Sequence, residues 1–369
     1  MNAVLLGSVL SLFAIWIAYP LGIRLLGALR RAPCTSGQSS TPHVSIVVAS
    51  ADDAPAIRSR VADLLATSYP GHLVEVIVAL DRANAKASRH ELEAMDLRAH
   101  VVSGDAPGGK AATLNAAVRA ARGEVLVYAD TAQRFAPEAI GALVAELHDP
   151  RLAAVSGVLD LPGREGSLTL AERYWRYERW LRRWEARVHS TVGVTGAIYA
   201  MRRSLWSPLP DGLLLDDVYV PMRLVMDGWR VGVARYAHAH DTRRFGPAQE
   251  YQRKMRTLTG VIQVCAWLPS VLNPLRNPIW LPFVFHKLLR LLTPYLVLVA
   301  AVAAGQRAGA YLLSHPPGIQ LTLGLVAGLC LIPRVRQGLK EQLTWGLAMQ
   351  SSIVAATANG MRGRWNVWR

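Results

Sequence analysis

The chain has 369 residues, of which 51% are hydrophobic, and its formal net charge is +15 at pH 7. This length allows one large domain with additional segments. The positive charge suggests nucleic acid as a partner, but the sequence contains no RNP, zinc-finger or basic-zipper pattern. Its 3 cysteines stand far apart with no CxxC pattern, so neither a disulfide framework nor a zinc site is indicated.

The N-terminal segment is typical of a membrane anchor. Met1 to Ile23 contain no charged side chain, and about 20 such residues span a bilayer as a helix. The run is too long for the apolar region of a signal peptide and lacks a basic start, so we expect an uncleaved anchor over residues 1–28. Arg24, Arg30 and Arg31 follow, which predicts a cytoplasmic location for what comes next and makes anionic lipid a partner for the charge.

Residues 40–265 have the mixed composition of a soluble domain. Apolar, β-branched runs predict strands at "HVSIVVAS", "LVEVIVALD", "AHVVSG" and "EVLVYAD". Helical patterns follow the first and third strands, with Ile57, Val61 and Leu64 sharing one face of the first helix. Strands that alternate with amphipathic helices predict an α/β domain with a mostly parallel sheet and helices on both faces.

Polar side chains follow the predicted strands. Asp52 or Asp53 comes after the first strand, Asp81 after the second, and Asp130 after the fourth, while Lys110 begins the helix after the third. Ligands of parallel sheets bind at the carboxyl ends of the strands. The sequence therefore predicts a nucleotide site at this edge.

A phosphate-binding loop of the NTPase type is one reading of this edge. "GDAPGGKA" (Gly104 to Ala111) has the glycine and lysine spacing of that loop. However, Ala111 replaces the hydroxyl residue that would hold magnesium, and the loop follows a third strand instead of opening the fold. These departures favour a different nucleotide chemistry.

Two adjacent carboxylates stand in an apolar setting. Asp216 and Asp217 follow three leucines in "GLLLDDVYVPMRL". One interpretation is structural, with Asp216 capping the helix that follows. The alternative is a carboxylate that meets substrate in a partly desolvated cleft, because burying such a pair is otherwise costly.

The order of these motifs resembles family 2 glycosyltransferases of the membrane-bound, polysaccharide-making branch, the group of cellulose, hyaluronan and poly-N-acetylglucosamine synthases. "VSIVVASADDAPAIRSRVADLLATSYP", "VEVIVALD", "GGKAATLNAA" and "GEVLVYADTAQRFAPEAI" are similar to its donor half, and "GVTGAIYAM", "LLLDDVYV" and "YQRKMRTLTGVIQ" to its acceptor half. The resemblance covers most of residues 43–294 and implies a GT-A-like (Rossmann-like) fold between N- and C-terminal transmembrane helices.

The resemblance also assigns roles to residues. It implies that Asp217 is the general base of an inverting transfer and that Asp216 orients the acceptor or raises the pKa of its neighbour. It implies acceptor contacts at Thr195 and Gly196, and a divalent cation (Mg or Mn) on Asp130, since hard cations prefer carboxylate oxygen. The nucleotide-sugar donor, expected to be a UDP-sugar, would contact Ala49, Asp53, Asp81, Lys110, Asp130, Arg253 and Arg256.

The chain departs from the family pattern at two positions. Ala132 replaces the second Asp of the metal motif, and Thr257 replaces the Trp that stacks on the acceptor sugar in processive members. The presence of Thr257 in place of this Trp favours the transfer of a single sugar over processive synthesis.

The C-terminal third is predicted to associate with membrane. Residues 266–287, rich in Pro, Trp and Phe, fit an interfacial segment. Uncharged runs at 291–306, 308–333 and 342–361 predict transmembrane helices within residues 288–360, before a basic tail at 361–369. Three crossings here would place that tail outside, against the positive-inside rule, so either the last run lies in the interface or one of the short runs does not cross.

The prediction is therefore a multi-pass enzyme of the bacterial cytoplasmic (inner) membrane with its catalytic domain in the cytoplasm. It would extend a glycan or a lipid-linked acceptor in polysaccharide biosynthesis. No nucleic-acid partner is predicted, and partner subunits are compatible with the sequence. A single-sugar transferase to a polyprenyl phosphate or other lipid, and an inactive partner subunit of a synthase, are the alternatives.

Overall fold

The computed structural model describes residues 3–30, 40–92, 95–161, 170–243, 246–314 and 333–365. The chain divides into two compact units. The first comprises Met1–Gly22, Phe245–Thr259 and Val284–Arg364, and the second comprises Ile23–Arg244, Gly260–Phe283 and Trp365–Arg369. The boundaries predicted from composition are not tested by this division and stay a prediction.

The second unit is built on a twisted α/β sheet. Its strands are β1 (Val44–Ser50), β2 (Val74–Leu80), β3 (Ala99–Ser103), β4 (Val125–Ala129), β5 (Gln133–Phe135), β6 (Leu152–Asp160), β7 (Ile198–Arg202) and β8 (Arg230–Asp241). Within the described residues they form one 8-stranded sheet in the order β3-β2-β1-β4-β7-β6-β8-β5. The first four strands of that order are mutually parallel, as predicted.

Strand β7 interrupts the parallel order. It lies antiparallel between β4 and β6, while β6 and β8 run parallel to each other and β5 closes the edge antiparallel to β8. The sheet is therefore mostly parallel, and the prediction of this fold class is confirmed.

The helices are α1 (Ala3–Phe13), α2 (Tyr19–Leu29), α3 (Ala54–Leu65), α4 (Lys110–Ala120), α5 (Ala139–Leu147), α6 (Leu170–Val188), α7 (Asp216–Met226), α8 (Pro247–Trp267), α9 (Trp280–Phe283), α10 (Thr293–Ser314) and α11 (Pro333–Met361). Helix α3 begins where Asp53 accepts a hydrogen bond from the Ala56 backbone and a proline fills the first turn. Its predicted apolar face is confirmed, because Ile57, Val61 and Leu64 are buried against the sheet.

Helix α6 buries acidic as well as apolar side chains. The sequence suggests an apolar stripe at Tyr174, Tyr177, Leu181, Trp184 and Val188. Leu181 is fully buried, but the acidic side chains of Glu178 and Glu185 are buried as well, at 4% and 1% exposure. These three residues follow one another at spacings of three and four, so the buried face of α6 is centred on them.

The first unit contains long apolar helices. Trp16, in the π-helical turn between α1 and α2, donates a hydrogen bond from Nε1 to Thr293 Oγ1 at 3.2 Å, and Tyr19 stacks on Phe285 with ring centroids 5.3 Å apart. Among the described residues, the helices Ala3–Leu29 and Trp280–Tyr311 are long and apolar enough to cross a membrane. Two such helices are weak evidence of a membrane protein. Most of the predicted run at 308–333 lies outside the described residues, and the run at 342–361 falls within α11.

Candidate active site

The carboxyl ends of β1, β2 and β4 meet at one edge of the sheet. The three strands are adjacent and parallel, so the residues after Ser50, Leu80 and Ala129 converge there. Asp81 follows β2 directly, and its backbone amide donates to Ser50 O at 2.8 Å. The predicted convergence of polar residues at this edge is borne out by the topology.

Asp81 organises two loops through backbone hydrogen bonds. Its Oδ1 accepts from the amides of Ala83 and Asn84 at 2.8 and 3.2 Å, and its Oδ2 accepts from the Gly109 amide at 3.1 Å. The side chain is buried, at 8% exposure. Asp81 therefore joins the end of β2 to the glycine loop before α4.

The glycine loop requires glycine. Gly108 and Gly109 have φ values of 97° and 87°, a region that L residues rarely adopt. A Cβ at Gly108 would lie 2.8 Å from Ala83 Cβ and 3.1 Å from Asp81 Oδ1. The loop thus packs closely on the Asp81 turn and leads directly into Lys110, the first residue of α4.

Lys110 connects the acidic residues of the site. Its Nζ lies 3.4 Å from Asp130 Oδ1 and 3.5 Å from Asp216 Oδ1. Asp216 is 6% exposed, and no described residue forms a hydrogen bond with its Oδ2. The side chains of Lys110 and Asp130 are 40% and 39% exposed, so the cluster opens to solvent on the Asp130 side.

Arg60 fixes the backbone beneath Asp130, a role that the sequence did not reveal. Its Nε donates to Asp130 O at 2.9 Å, and its guanidinium pairs with Asp63 and lies 4.4 Å from the centre of the Phe135 ring. Burial lowers its pKa to about 10. Arg60 lies three residues after Ile57 on the buried face of α3. A charged residue at an otherwise apolar position is the only feature of the sequence that could have indicated its role.

The two adjacent carboxylates occupy the first turn of α7. Negative charge is stabilised at a helix N-terminus, which favours both side chains there. Asp216 faces Lys110, whereas Asp217 adjoins the loop 193–197: its backbone carbonyl accepts from Val194 N at 2.8 Å, and its Oδ2 would lie 3.5 Å from a Cβ at Gly196. The two neighbours therefore have different surroundings.

The segment before Asp216 is held by two amide side chains. Gln263 accepts from Leu214 N at 2.8 Å and donates to Gly212 O at 3.0 Å. Asn115 of α4 makes the same kind of paired contact with the backbone of Leu209, at 2.8 and 2.9 Å. These bonds fix the approach of the chain to the carboxylate pair, and neither partner could be read from the sequence.

Two tyrosines lie close to the acidic pair. Tyr128 of β4 and Tyr199 of β7 are opposite each other in register, and their rings stack 4.2 Å apart. Burial raises the pKa of both phenols, and the charge of Asp216 raises it further. Both phenols are therefore neutral at physiological pH.

The remaining predicted residues have other placements. Ala49 is half-buried in β1 opposite Ala79, and Asp53 is the N-cap of α3. Thr195 donates to Gly157 O at 3.1 Å and accepts from Arg182 Nη1 at 3.4 Å. Arg253 and Arg256 lie on α8, in the part that belongs to the first unit. Ligand contacts by these residues stay a prediction.

Comparison with known proteins identifies the family. Over residues 42–260 the chain matches the family described as glycosyltransferase like family 2. This chain belongs to that family. It is therefore a glycosyltransferase, and no curated protein matches it.

Solved structures share the fold of this family 2 glycosyltransferase. The mannosyltransferase PcManGT from Pyrobaculum calidifontis, in complex with GDP-Man and Mn2+, is similar with a TM-score of 0.71 and 20% identity, covering 98% of this chain and 99% of that one. GalNAc-T7 with UDP, GalNAc and Mn2+ has a TM-score of 0.45 and 13% identity, covering 62% and 48%. A mycobacterial protein has a TM-score of 0.42 and 19% identity, and the match covers 66% of this chain and 77% of that one. The first likeness shows a GT-A-like fold; the other two are too distant to carry an argument.

Proposed function

We propose that this chain is an inverting glycosyltransferase that moves a sugar from a nucleoside diphosphate donor to an acceptor hydroxyl or phosphate. The observation that carries the proposal is the position of Lys110, within 3.5 Å of both Asp130 and Asp216 at the carboxyl edge of the sheet. A cation between two carboxylates, next to a solvent-open edge, is suited to bind a diphosphate and to organise an acidic pair.

The donor is proposed to be a nucleotide sugar at the edge formed by β1, β2 and α4. Ala49, Asp53, Asp81 and Lys110 belong to this edge, and Arg253 and Arg256 are proposed as further diphosphate contacts. A UDP-sugar is the donor expected from the polysaccharide-making branch. Since the similar mannosyltransferase structure contains GDP-Man, a GDP-sugar is tested as a donor together with the UDP-sugars.

A divalent cation fits the residues around Asp130. Among the described residues, no group of three or more His, Cys, Asp or Glu side chains could hold a metal by itself. Mg²⁺ and Mn²⁺ are often bound through one or two carboxylates together with substrate phosphates and water. The carboxylate of Asp130, which is 39% exposed, fits that mode. When bound, the cation would neutralise charge that develops on the leaving diphosphate.

The chemistry assigned to this chain's residues is a single displacement. The acceptor oxygen forms the new bond to the anomeric carbon while the bond to the diphosphate breaks, so the configuration inverts. Asp217 accepts the proton of an acceptor hydroxyl, and Thr195 and Gly196 support the acceptor beside it. Asp216, paired with Lys110, holds the lysine toward the donor.

The reaction is proposed to occur at the cytoplasmic face of a bacterial membrane, with the product entering polysaccharide biosynthesis. The apolar helices Ala3–Leu29 and Trp280–Tyr311 support membrane attachment. Thr257, in place of the acceptor-stacking Trp, favours the second candidate function, in which one sugar is transferred to a lipid-linked acceptor.

The test is the release of nucleoside diphosphate by the detergent-purified full chain with Mn²⁺. UDP-glucose, UDP-N-acetylglucosamine, UDP-galactose, UDP-glucuronate and GDP-mannose are compared, with acceptor membranes present. We expect release with one donor, lost in Asp217→Asn and kept in Asp227→Asn, a control at the exposed C-terminal end of the same helix. Equal release by wild type and Asp217→Asn would exclude Asp217 as the base. If no donor releases its nucleoside diphosphate, the result would favour an inactive partner subunit.

A further inference from the structure

Helix α6 presents a straight line of exposed arginines, called the arginine stripe below. Among residues 172–188, the exposed side chains are Arg173, Arg176, Arg183 and Arg187. They follow one another at spacings of three, seven and four residues, which place them on one side of an α-helix. The stripe extends for about 21 Å along the helix axis, given the rise of an α-helix. It lies opposite the buried face that is centred on Leu181.

The described part of the protein does not neutralise this charge. Arg173, Arg176 and Arg183 form no ion pair with a described residue. Arg187 donates to the backbone carbonyl of Arg30 at 3.1 Å, not to a carboxylate. The stripe therefore presents positive charge to a partner outside the described residues.

Aromatic side chains lie within and beside the stripe. Trp180 is half-buried and stands in line between Arg176 and Arg183, and its ring stacks on Tyr177 with centroids 6.2 Å apart. Arg187 lies over the ring of Trp184, 5.6 Å from its centre. Arginine mixed with Trp and Tyr is typical of helices that lie at the boundary between lipid and water.

One end of the stripe is fixed to the end of an apolar helix. Residues 23–29, the last turns of the helix Ala3–Leu29, belong to the same compact unit as α6. A Cβ at Gly27 would lie 2.8 Å from Trp184 Cε3, so the backbone of that helix packs directly on the ring. Arg30 donates to the backbone carbonyl of Val188, and the contact from Arg187 to Arg30 completes the junction.

The apolar helix keeps exposed leucines at this junction. Leu25 and Leu29 are 64% and 76% exposed, and both lie on the side of the helix away from Gly27. Exposed apolar side chains next to a basic surface mark a site of interaction, and the acyl chains of a bilayer would remove these leucines from water.

We propose that α6 lies along the cytoplasmic surface of the membrane and that its arginine stripe binds the headgroups of anionic phospholipids. The inference deepens the proposed function, because it names the surface that holds the catalytic domain against the bilayer. Guanidinium groups pair with the phosphates of headgroups, and anionic lipid attracts basic segments next to a membrane helix. Nucleic acid would also match the charge, but it would leave the adjoining leucines in water, whereas a bilayer receives both.

The test measures lipid binding to the detergent-purified full chain by native mass spectrometry, without donor or metal. Dioleoylphosphatidylglycerol is compared with dioleoylphosphatidylcholine, which has the same acyl chains and no net charge. We expect Arg176→Gln and Arg183→Gln each to weaken binding of the anionic lipid by about 5-fold, the usual contribution of one basic residue near an anionic surface. Both side chains are exposed, so neither substitution should disturb folding. Arg122→Gln is the control, because it removes the same charge at an exposed turn between α4 and β4.

Four results would overturn the proposal. The first is equal binding of the two lipids by wild type, and the second is an equal loss in Arg122→Gln, which would make net charge the cause. A loss confined to Arg183→Gln would show that α6 does not lie along the surface. Tighter binding of oligouridylate than of phosphatidylglycerol would make nucleic acid the occupant. Because no donor is present, failure here leaves the proposed transferase activity open, and an inactive transferase leaves lipid binding measurable.

Discussion

Lys110 Nζ lies 3.5 Å from Asp216 Oδ1, and this ion pair joins the first residue of α4 to the first residue of α7. The partners are separated by more than a hundred residues of sequence, and each begins a helix whose preceding loop lines the site. Asp216 is largely buried while Lys110 is partly open to solvent. The lysine is therefore the group that makes a buried carboxylate acceptable at this position.

The pair predicts non-additive effects on stability. Lys110→Gln leaves Asp216 buried without a cationic partner, which is expected to cost about 1–3 kcal/mol. Asp216→Asn removes that charge, so the double variant should be more stable than the sum of the single effects implies. The measurement is a double-mutant cycle of thermal unfolding in detergent, with Lys340→Gln, at an exposed position, as the control. Additive losses would mean that the two residues do not interact.

The glycine loop predicts a loss of donor binding in Gly108→Ala. The substitution combines a positive φ of 97° with a contact of 2.8 Å to Ala83 Cβ, so the loop that contacts Asp81 must move. Gly228→Ala is the matched control, because Gly228 has a φ of 88° and no atom within 4 Å of a built Cβ. Both variants should lose about 1–2 kcal/mol to backbone strain.

Only Gly108→Ala should also lose affinity for the nucleotide sugar, measured by equilibrium binding of the donor identified in the screen. Unchanged affinity in that variant, at normal stability, would separate the glycine loop from the donor site.

Asp160 predicts a specific dependence of stability on pH. Burial raises the pKa of its carboxyl, but hydrogen bonds from His238 and Arg179 outweigh burial, so the pKa lies below its ordinary value of 3.8. A carboxyl with a lowered pKa stabilises the fold fully above its ordinary value and loses that contribution as the pH falls through the folded value. Wild type should therefore lose melting temperature below about pH 4 more steeply than Asp160→Asn. Parallel curves for the two proteins would contradict this assignment.

The parallel half of the sheet and its edge could be predicted from sequence because the signals are local. Each strand is a short β-branched run, and Asp81 and Asp130 stand immediately after such runs. The insertion of β7 between β4 and β6 has no local signal, since it depends on pairing between strands far apart in sequence. The same holds for Gln263 and Asn115, whose partners are backbone groups of distant segments.

The sequence of α6 leaves two interpretations open: an amphipathic helix with a solvated basic face, or a helix whose Trp and Arg side chains also line a saccharide path or touch lipid headgroups. Helix α6 has an arginine at nearly every turn, and periodicity alone does not decide which of them face solvent. Its actual buried face carries Glu178 and Glu185 beside Leu181, which turns Arg179 and Arg182 toward β6. Which polar side chains a helix buries is decided by the groups packed against it, and the sequence of the helix alone does not contain them.

The most direct test of the central claim is to measure donor binding and sugar transfer separately in Asp130→Asn and Asp217→Asn, with Asp227→Asn as the control. The account predicts that Asp130→Asn loses Mn²⁺-dependent donor binding. Asp217→Asn should bind the donor like wild type but transfer sugar about 100- to 10,000-fold more slowly, because general bases contribute factors of that size. Wild-type transfer by Asp217→Asn, or wild-type donor binding by Asp130→Asn, would contradict the assignment of this edge as the active site.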